Sequence, residues 1–418
     1  MDQIFITNLT IQKVRHLKDI TIPLSKDHIK HLILTGKNGS GKTSVVEAVA
    51  SHLENVFTDE EFMEKEASLY SAENERDKAI REGKDEEEII RLEKDVRTKE
   101  ENLWYSREGL DIRFNHKADS ICALKEQNHY VLAYYSADRE FYAIQPQHVE
   151  KVQLREDYGA FESPRNDFVK YLLDLKMTEA LSRNNKKTEK ADEIQAWFAR
   201  LEELLKRIFD DDSVKLIFDE ETFRFHILQE GRELFDLNTL SDGYQAVLDI
   251  VLDIIMRMVK QTQRAFDFSL PGIVVIDEIE THLHLELQKN IMPLLTAIFP
   301  NIQFIVTSHS PFVLSSLENA VIYDLENRVL VESGLDNVPY DGIVEGYFGV
   351  YKLSDTLKEK YERYKSLVSR KYLTDDELAE IAELEMYLDE IPDYLALDIA
   401  TEYRRLKLEF MNREDLDG

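Results

Sequence analysis

Gly36-Lys37-Asn38-Gly39-Ser40-Gly41-Lys42-Thr43 is the stretch on which the reading of the fold turns. It fits the pattern G-x-x-x-x-G-K-[ST], in which each residue type has a physical task. Glycines let backbone N–H groups turn inward and approach phosphate oxygens that a Cβ would keep away. A lysine at position 42 reaches the β- and γ-phosphates, and the Thr43 hydroxyl is placed to ligate Mg²⁺. The flanks agree. The apolar run His31-Leu32-Ile33-Leu34 predicts a strand entering the loop, and Ser44-Val45-Val46-Glu47-Ala48-Val49-Ala50 predicts a helix leaving it. That helix aims its N-terminus at the phosphates. Lys37, Asn38, Gly39, Ser40, Gly41, Lys42, Thr43 and Ser44 are therefore the expected nucleotide-contacting set.

The 418 residues carry 82 acidic and 52 basic side chains, a formal charge of −30. Nucleic-acid backbones and anionic membranes repel such a chain on average, so either contact would need a local basic patch. A single cysteine, Cys122, excludes an intrachain disulfide and a cysteine-based zinc site and fits a reducing compartment. No apolar run reaches the roughly 18 residues of a membrane span. The first residues lack the basic start and apolar stretch of a secretory signal. The expectation is a soluble, cytoplasmic protein.

Residues 3 to 24 alternate as strands at Ile4-Phe5-Ile6, Leu9-Thr10-Ile11 and Ile20 to Leu24. From Asp59 to Glu101 the composition shifts to 17 acidic and 9 basic residues with almost no strand formers. Gly83 reads as a helix C-cap, and Phe62, Leu69, Ile80, Ile89, Leu92, Val96 and Leu103 read as a thin apolar seam. This predicts a helical hairpin with arms of about 20 to 25 residues, roughly 30 to 37 Å long. A strand returns at 130–135. Helices follow at 167–180 and 191–209, separated by Arg183 to Lys190, read as an exposed basic loop. Two short strands lie at 213–218 and 222–228, then a helix from Ser241, a strand at 272–276, a helix at 285–299 and a strand at 303–307. Alternating apolar strands and helices indicate a parallel α/β core. Beyond Tyr347 the pattern is helical and charged.

Three further motifs carry chemistry. Ile273-Val274-Val275-Ile276-Asp277-Glu278 is an apolar strand ending in two carboxylates, Asp277 suited to hold Mg²⁺ and Glu278 to polarise an attacking water. Leu240-Ser241-Asp242-Gly243-Tyr244-Gln245 opens a very apolar helix. Ser241 can cap it, and the hydroxyl, glycine N–H groups and positive helix end together suit an anion. Thr307-Ser308-His309-Ser310-Pro311 places His309 at a strand end.

In this order the four motifs resemble an ABC-type ATPase head of the RecF/SMC/OLD branch, across residues 1 to about 330 without the hairpin. Lys13-Val14-Arg15-His16-Leu17-Lys18 is similar to that branch's N-terminal arginine motif. The resemblance implies a mixed β-sheet core with helices on both faces, to which the residue patterns add an inserted helical hairpin and a helical C-terminal extension. Its expected domains are a head at 1–54 and 106–345, with a helical subdomain at about 150–212, the hairpin at 55–105 and the extension at 346–418. It also implies that Lys42 and Thr43 bind ATP and Mg²⁺, Asp277 supports the metal, Glu278 is the catalytic base and His309 contacts the γ-phosphate. Ser241 and Gly243 would close over the ATP of a second copy, giving a head-to-head dimer around two nucleotides. Glu280 to His284 falls where such heads carry a dimer-contact loop, with His284 in place of the usual aspartate. A Q-loop glutamine is expected near Ser136-Ala137-Asp138-Arg139, yet only Gln145 and Gln147 stand nearby.

The spacing from Lys42 to Ser241, which contains a helical hairpin, is too long for a transporter motor. Two other readings remain. A RecF/SMC-like repair ATPase would bind DNA directly, through the Arg183 to Lys190 segment or residues such as Arg15 and Lys18. The other is the ATPase of an anti-phage defence complex controlling a separate effector such as a nuclease, since the chain is similar to the small ATPases of Septu-like, PARIS-like and retron-associated systems. Val329 to Asp336 is faintly similar to the start of a TOPRIM nuclease, but without the later Asp-x-Asp strand it reads better as a hairpin finishing the ATPase sheet.

Overall fold

The structure is a computed structural model, and it describes residues 3–103, 107–116, 129–139, 146, 148–262, 267–335, 355–389 and 397–411. The chain divides into two compact units, Met1–Asn337 and Val338–Gly418.

In the first unit a six-stranded sheet carries the P-loop. Its strands are β3 (His31–Thr35), β5 (Val131–Tyr135), β8 (Gly272–Ile276), β9 (Ile302–Thr307), β10 (Ala320–Asp324) and β11 (Val329–Val331), in the order β11-β10-β3-β9-β8-β5. All neighbours pair in parallel except β10 with β11. β3, β8, β9 and β10 are buried along their whole length, as strands covered on both faces must be. The period of two sorts their side chains. Leu32, Leu34, Leu132, Ile273, Val275 and Ile305 join the core of α1 (Lys42–Thr58). On the opposite face Tyr135 meets the helix Asp242–Val259.

A second, antiparallel sheet orders β2 (Leu17–Pro23), β1 (Ile6–Val14) and β4 (Leu110–Phe114). α1 packs against both sheets through Val45, Val46, Val49 and Leu53. Gln303 sews the sheets together, accepting from Ile6 N at 2.7 Å and donating to the carbonyls of Ile6 at 3.0 Å and Lys30 at 2.8 Å. Ile6 and Leu9–Ile11 lie in the single strand β1, with a register shift against β4 between Ile6 and Asn8.

The hairpin consists of α2 (Glu60–Arg81) and α3 (Glu86–Leu103). Asp59 caps α2 by accepting from Phe62 N, and Gly83 turns the chain at φ 67°. Phe62, Leu69, Val96 and Leu103 are buried as expected. Ile80 is not: it is half exposed and Ala79 takes the seam, because the inward positions 69, 72, 76 and 79 follow the three- and four-residue helical spacing and 80 falls outside it. Two helices, α4 (Phe168–Asn184) and α5 (Thr188–Phe209), absorb both ends of the expected basic loop, leaving three residues between them. Arg183 is ion-paired with Asp192 and Glu179 and bonded to Gln195. A two-stranded sheet, β6 (Lys215–Asp219) and β7 (Arg224–Leu228), precedes α6 (Asp242–Val259), and α7 (Leu285–Ile298) and the short α8 (Pro311–Leu314) complete the unit. The second unit holds α9 (Asp355–Val368), α10 (Asp375–Asp389) and α11 (Leu397–Met411), packed around Tyr364, Leu367, Ile381, Leu384 and Tyr403.

Candidate functional site

β3 delivers the chain into a loop that only glycine can make at three points: Gly36, Gly39 and Gly41 have φ of 135°, 84° and 99°. A Cβ at Gly36 would come within 2.8 Å of Ser40 Oγ, while the space beside Gly39 is open. Lys42 begins α1 and is buried. Its ammonium curls over the loop, donating to Gly36 O at 2.9 Å and Lys37 O at 3.2 Å. Burial lowers its pKa, opposed by the nearby charges of Glu278, Asp277, Glu280 and Asp324. Thr43 is exposed in the first helical turn, with Ser44 half-buried beside it. Asn38 and Gly39 are exposed, whereas Lys37 is drawn sideways: Glu326, in the β10–β11 turn, accepts from its backbone N at 3.2 Å and its Nζ at 2.9 Å.

Two strands away, β8 ends at Asp277, whose carboxylate is buried. Thr307 organises this corner. Its Oγ1 donates to Asp277 Oδ1 at 2.6 Å and accepts from Glu278 N at 2.7 Å. Glu278 adopts φ 44°, a left-handed conformation that is disfavoured for a residue with a Cβ. Thr281 Oγ1 donates to its Oε2 at 3.4 Å. His309 follows β9, and its backbone N–H donates to Glu280 Oε1. Burial first, then the Lys42 charge, lowers the His309 pKa, so the neutral imidazole is favoured. The structure thus brings Lys42, Asp277, Glu278 and His309 into one electrostatic cluster.

Ser241 and Gly243 stand in a different arrangement. Ser241 is the exposed N-cap of α6, but its side chain makes no capping bond, so the capping role expected of it is not taken up. Gln245 secures the preceding loop instead, donating to the carbonyls of Asn238 and Leu240, each at 3.0 Å. Gly243 is buried against the 282–287 segment, where a Cβ would lie 3.2 Å from both His282 O and Leu287 Cδ1. His284 caps α7, accepting from Leu287 N at 3.3 Å.

Two residues of this corner were missed by motif reading. Glu280 holds His309, and Arg139, at the place expected for a Q-loop glutamine, donates to Asp277 O and Glu278 O. Gln145 and Gln147 lie outside the described residues. No spacing rule ties a lone arginine to carbonyls so far along the chain.

The residues fit a nucleoside triphosphate with its metal. The side-chain atoms Thr35 Oγ1, Ser40 Oγ, Glu280 Oε2 and His309 Nε2 are buried without a hydrogen-bond partner, and Ser40 lies within the glycine cradle itself. Orphaned polar atoms at this density call for a polar ligand or bound water. Among the described residues no group of three His, Cys, Asp or Glu side chains could hold a metal ion. A hard cation here would take one carboxylate and one hydroxyl and complete its shell with phosphate and water, the usual habit of Mg²⁺.

The profile of the family described as "AAA domain, putative AbiEii toxin, Type IV TA system" matches residues 32–315, well over half of the chain. The chain belongs to this AAA-domain family. Among curated relatives of this family member, the Septu protein PtuA of Bacillus mycoides (strain KBAB4) is 27% identical over 398 residues, which is 92% of this chain and 50% of that one. The Retron Ec83 probable ATPase of Escherichia coli is 33% identical over 167 residues, 38% of this chain and 29% of that one. The AAA-domain chain therefore spans half or less of the length of these relatives. Among solved structures it is similar to an Smc head bound to the C-winged helix domain of ScpA, with a TM-score of 0.38 and 14% identity over 81% of this chain and 100% of that one. No helix among the described residues is long and apolar enough to cross a membrane.

Proposed function

We propose that this chain is an ATP-hydrolysing head that closes on a second copy around two ATP molecules and controls a separate effector, such as a nuclease, in anti-phage defence. The observation that carries the hydrolytic part is the Thr307 bridge, which ties the Asp277 carboxylate to the Glu278 backbone within electrostatic reach of Lys42. The names of the Septu and retron relatives support the defence part.

In this reading the N–H groups of residues 37 to 43 and the Lys42 ammonium bind and orient the phosphates. Bound Mg²⁺ supplies positive charge that neutralises the β- and γ-oxygens, and Thr43 and Asp277 are the residues that hold it. Glu278 orients the attacking water and accepts its proton while the new P–O bond forms at the γ-phosphorus. The bond to the bridging oxygen breaks, and ADP leaves with the electron pair. His309, kept neutral, contributes a ring nitrogen toward the γ-phosphate. Ser241, exposed at the start of α6, and Gly243, buried in its first turn, close over the nucleotide of the second copy. Direct DNA binding is less well supported, because Arg183 of the basic segment is already paired with carboxylates.

Glu278→Gln is expected to bind ATP with unchanged affinity while turnover falls about 10²- to 10⁴-fold, the range for losing a general base. It should also accumulate as a closed dimer by light scattering. Unchanged turnover would remove Glu278 from the role of base.

A further inference from the structure

Arg139 lies four residues beyond the end of β5, buried, where a Q-loop glutamine is expected and an arginine stands instead. Its guanidinium reaches across to the catalytic turn. Nη1 donates to Asp277 O at 2.7 Å, and Nη2 to Glu278 O at 3.0 Å. Nη1 also donates to Ser136 O at 3.1 Å, which ties the grip to the end of β5. The two carbonyls belong to consecutive residues, and they flank the Cα of Glu278. In a regular extended strand consecutive carbonyls point to opposite sides. Here the left-handed φ of Glu278, 44°, accompanies their convergence on one planar fork. Holding both peptide planes fixes the backbone on each side of Glu278 and hence the direction of its side chain.

We propose that Arg139 is the positioning residue of the catalytic turn, gripping the Asp277 and Glu278 carbonyls so that the Glu278 carboxylate is held where it can take the proton of the attacking water. This rests on the reading of Glu278 as the base. The guanidinium itself touches no reacting atom. Its surroundings tie it to the rest of the head. It is buried, and Asp249 of α6 is the strongest charge favouring its protonated form, ahead of Asp277, Glu280 and Glu278. Asp249 is itself fully buried and paired with Arg165. The catalytic turn and the helix that begins at Ser241 therefore share one buried set of charges.

The test is a cycle of variants in the full chain, with ATP affinity read by nucleotide titration and turnover by phosphate release. Arg139→Gln should lower kcat at least tenfold with ATP affinity within about twofold of the parent. Arg139→Lys, a point charge that cannot span both carbonyls, should fall between the two. In the Glu278→Gln background, Arg139→Gln should change the residual rate less than twofold, since the residue acts only through Glu278. Equal losses in both backgrounds would overturn the proposal, because Arg139 would then act on something else. Unchanged kcat in Arg139→Gln would overturn it alone, with the site reading intact. Should that variant fail to fold, Arg139→Lys decides by the same two comparisons. A parent protein that binds ATP without turning it over would sink the site reading and this inference with it.

Discussion

Arg257→Met should unfold more easily than its size-matched side chain suggests. Arg257 sits on α6 with 2% of its surface exposed, on a helix that also buries Asp249 and Asp253. Its Nε donates to Asp253 Oδ2 at 2.8 Å, where Tyr135 OH also donates at 2.8 Å. Its other nitrogens donate to Leu132 O at 2.7 Å, Gly159 O at 2.9 Å and Glu162 O at 2.5 Å, so one side chain joins α6, β5 and the loop between 158 and 162. Removing one partner of a buried ion pair costs about 3–5 kcal/mol, and the lower end applies here because Asp253 keeps the Tyr135 hydroxyl, the Arg165 backbone N–H and the Arg165 guanidinium 3.7 Å away. Three carbonyls lose a donor as well, each worth roughly 1–3 kcal/mol if no water enters. Methionine returns about 2 kcal/mol through its buried apolar surface. The expected loss is about 4 kcal/mol or more, near a thousandfold in the unfolding constant. Urea unfolding followed by the fluorescence of buried Trp197 measures it. Asp253→Asn in the same chain removes the stranded charge, so the double variant should be less destabilised than the sum of the singles by over 1 kcal/mol. A loss below about 1 kcal/mol in the single variant, or strict additivity in the double, refutes the argument.

Burial lowers the His31 pKa from 6.5 to about 4, and its Nδ1 accepts from Phe304 N at 3.1 Å, so the neutral ring is built into the sheet. The unfolded state then binds more protons between those values, and stability is present above pH 6.5 and lost as pH falls toward 4. The gap between parent and His31→Gln should shrink by about 3 kcal/mol over that window, while a constant gap would contradict it. Gly109→Ala places a Cβ 1.9 Å from Lys13 O at φ 71° and should cost over 2 kcal/mol by overpacking and strain against rigid backbone. Urea midpoints check this; a neutral result would mean that β4 can move away from β1. Ser241→Arg, at the exposed start of α6, should leave ATP binding by the single chain intact and abolish turnover. Full turnover in that variant argues against a second copy completing the site.

What could be read in advance was local. The P-loop, the strand ending in Asp277 and Glu278 and the strand before His309 each announce themselves within a few residues, because period and motif coincide there. The grip of Arg139 joins positions 138 and 139 apart, and nothing in its own neighbourhood signals that. The charges inside α6 mislead in the same way, since Asp253 and Arg257 are legible as a buried helix but their partners on β5 and the 158–162 loop are not. Ile80 yielded its seam position to Ala79 because the helical phase carried from positions 69, 72 and 76, more than hydrophobicity, decides which residue faces inward. Sheet membership was also out of reach: β1 and β2 precede the P-loop strand in the chain, yet they lie in a separate sheet in which β1 pairs with both β2 and β4.

Gly41 answers to two masters. Beside its role in the phosphate cradle, it lies under the turn between β1 and β2, where a Cβ would come 2.9 Å from Leu17 Cδ1 and 3.3 Å from His16 Cε1. The left-handed φ of 99° and the crowding from the roof above thus act on the same atom as the ligand geometry below. Any genetic screen will score Gly41 as intolerant for either reason. Trimming Leu17 to alanine removes the nearer of the two contacts, while His16 and the left-handed backbone go on excluding a Cβ at the same atom.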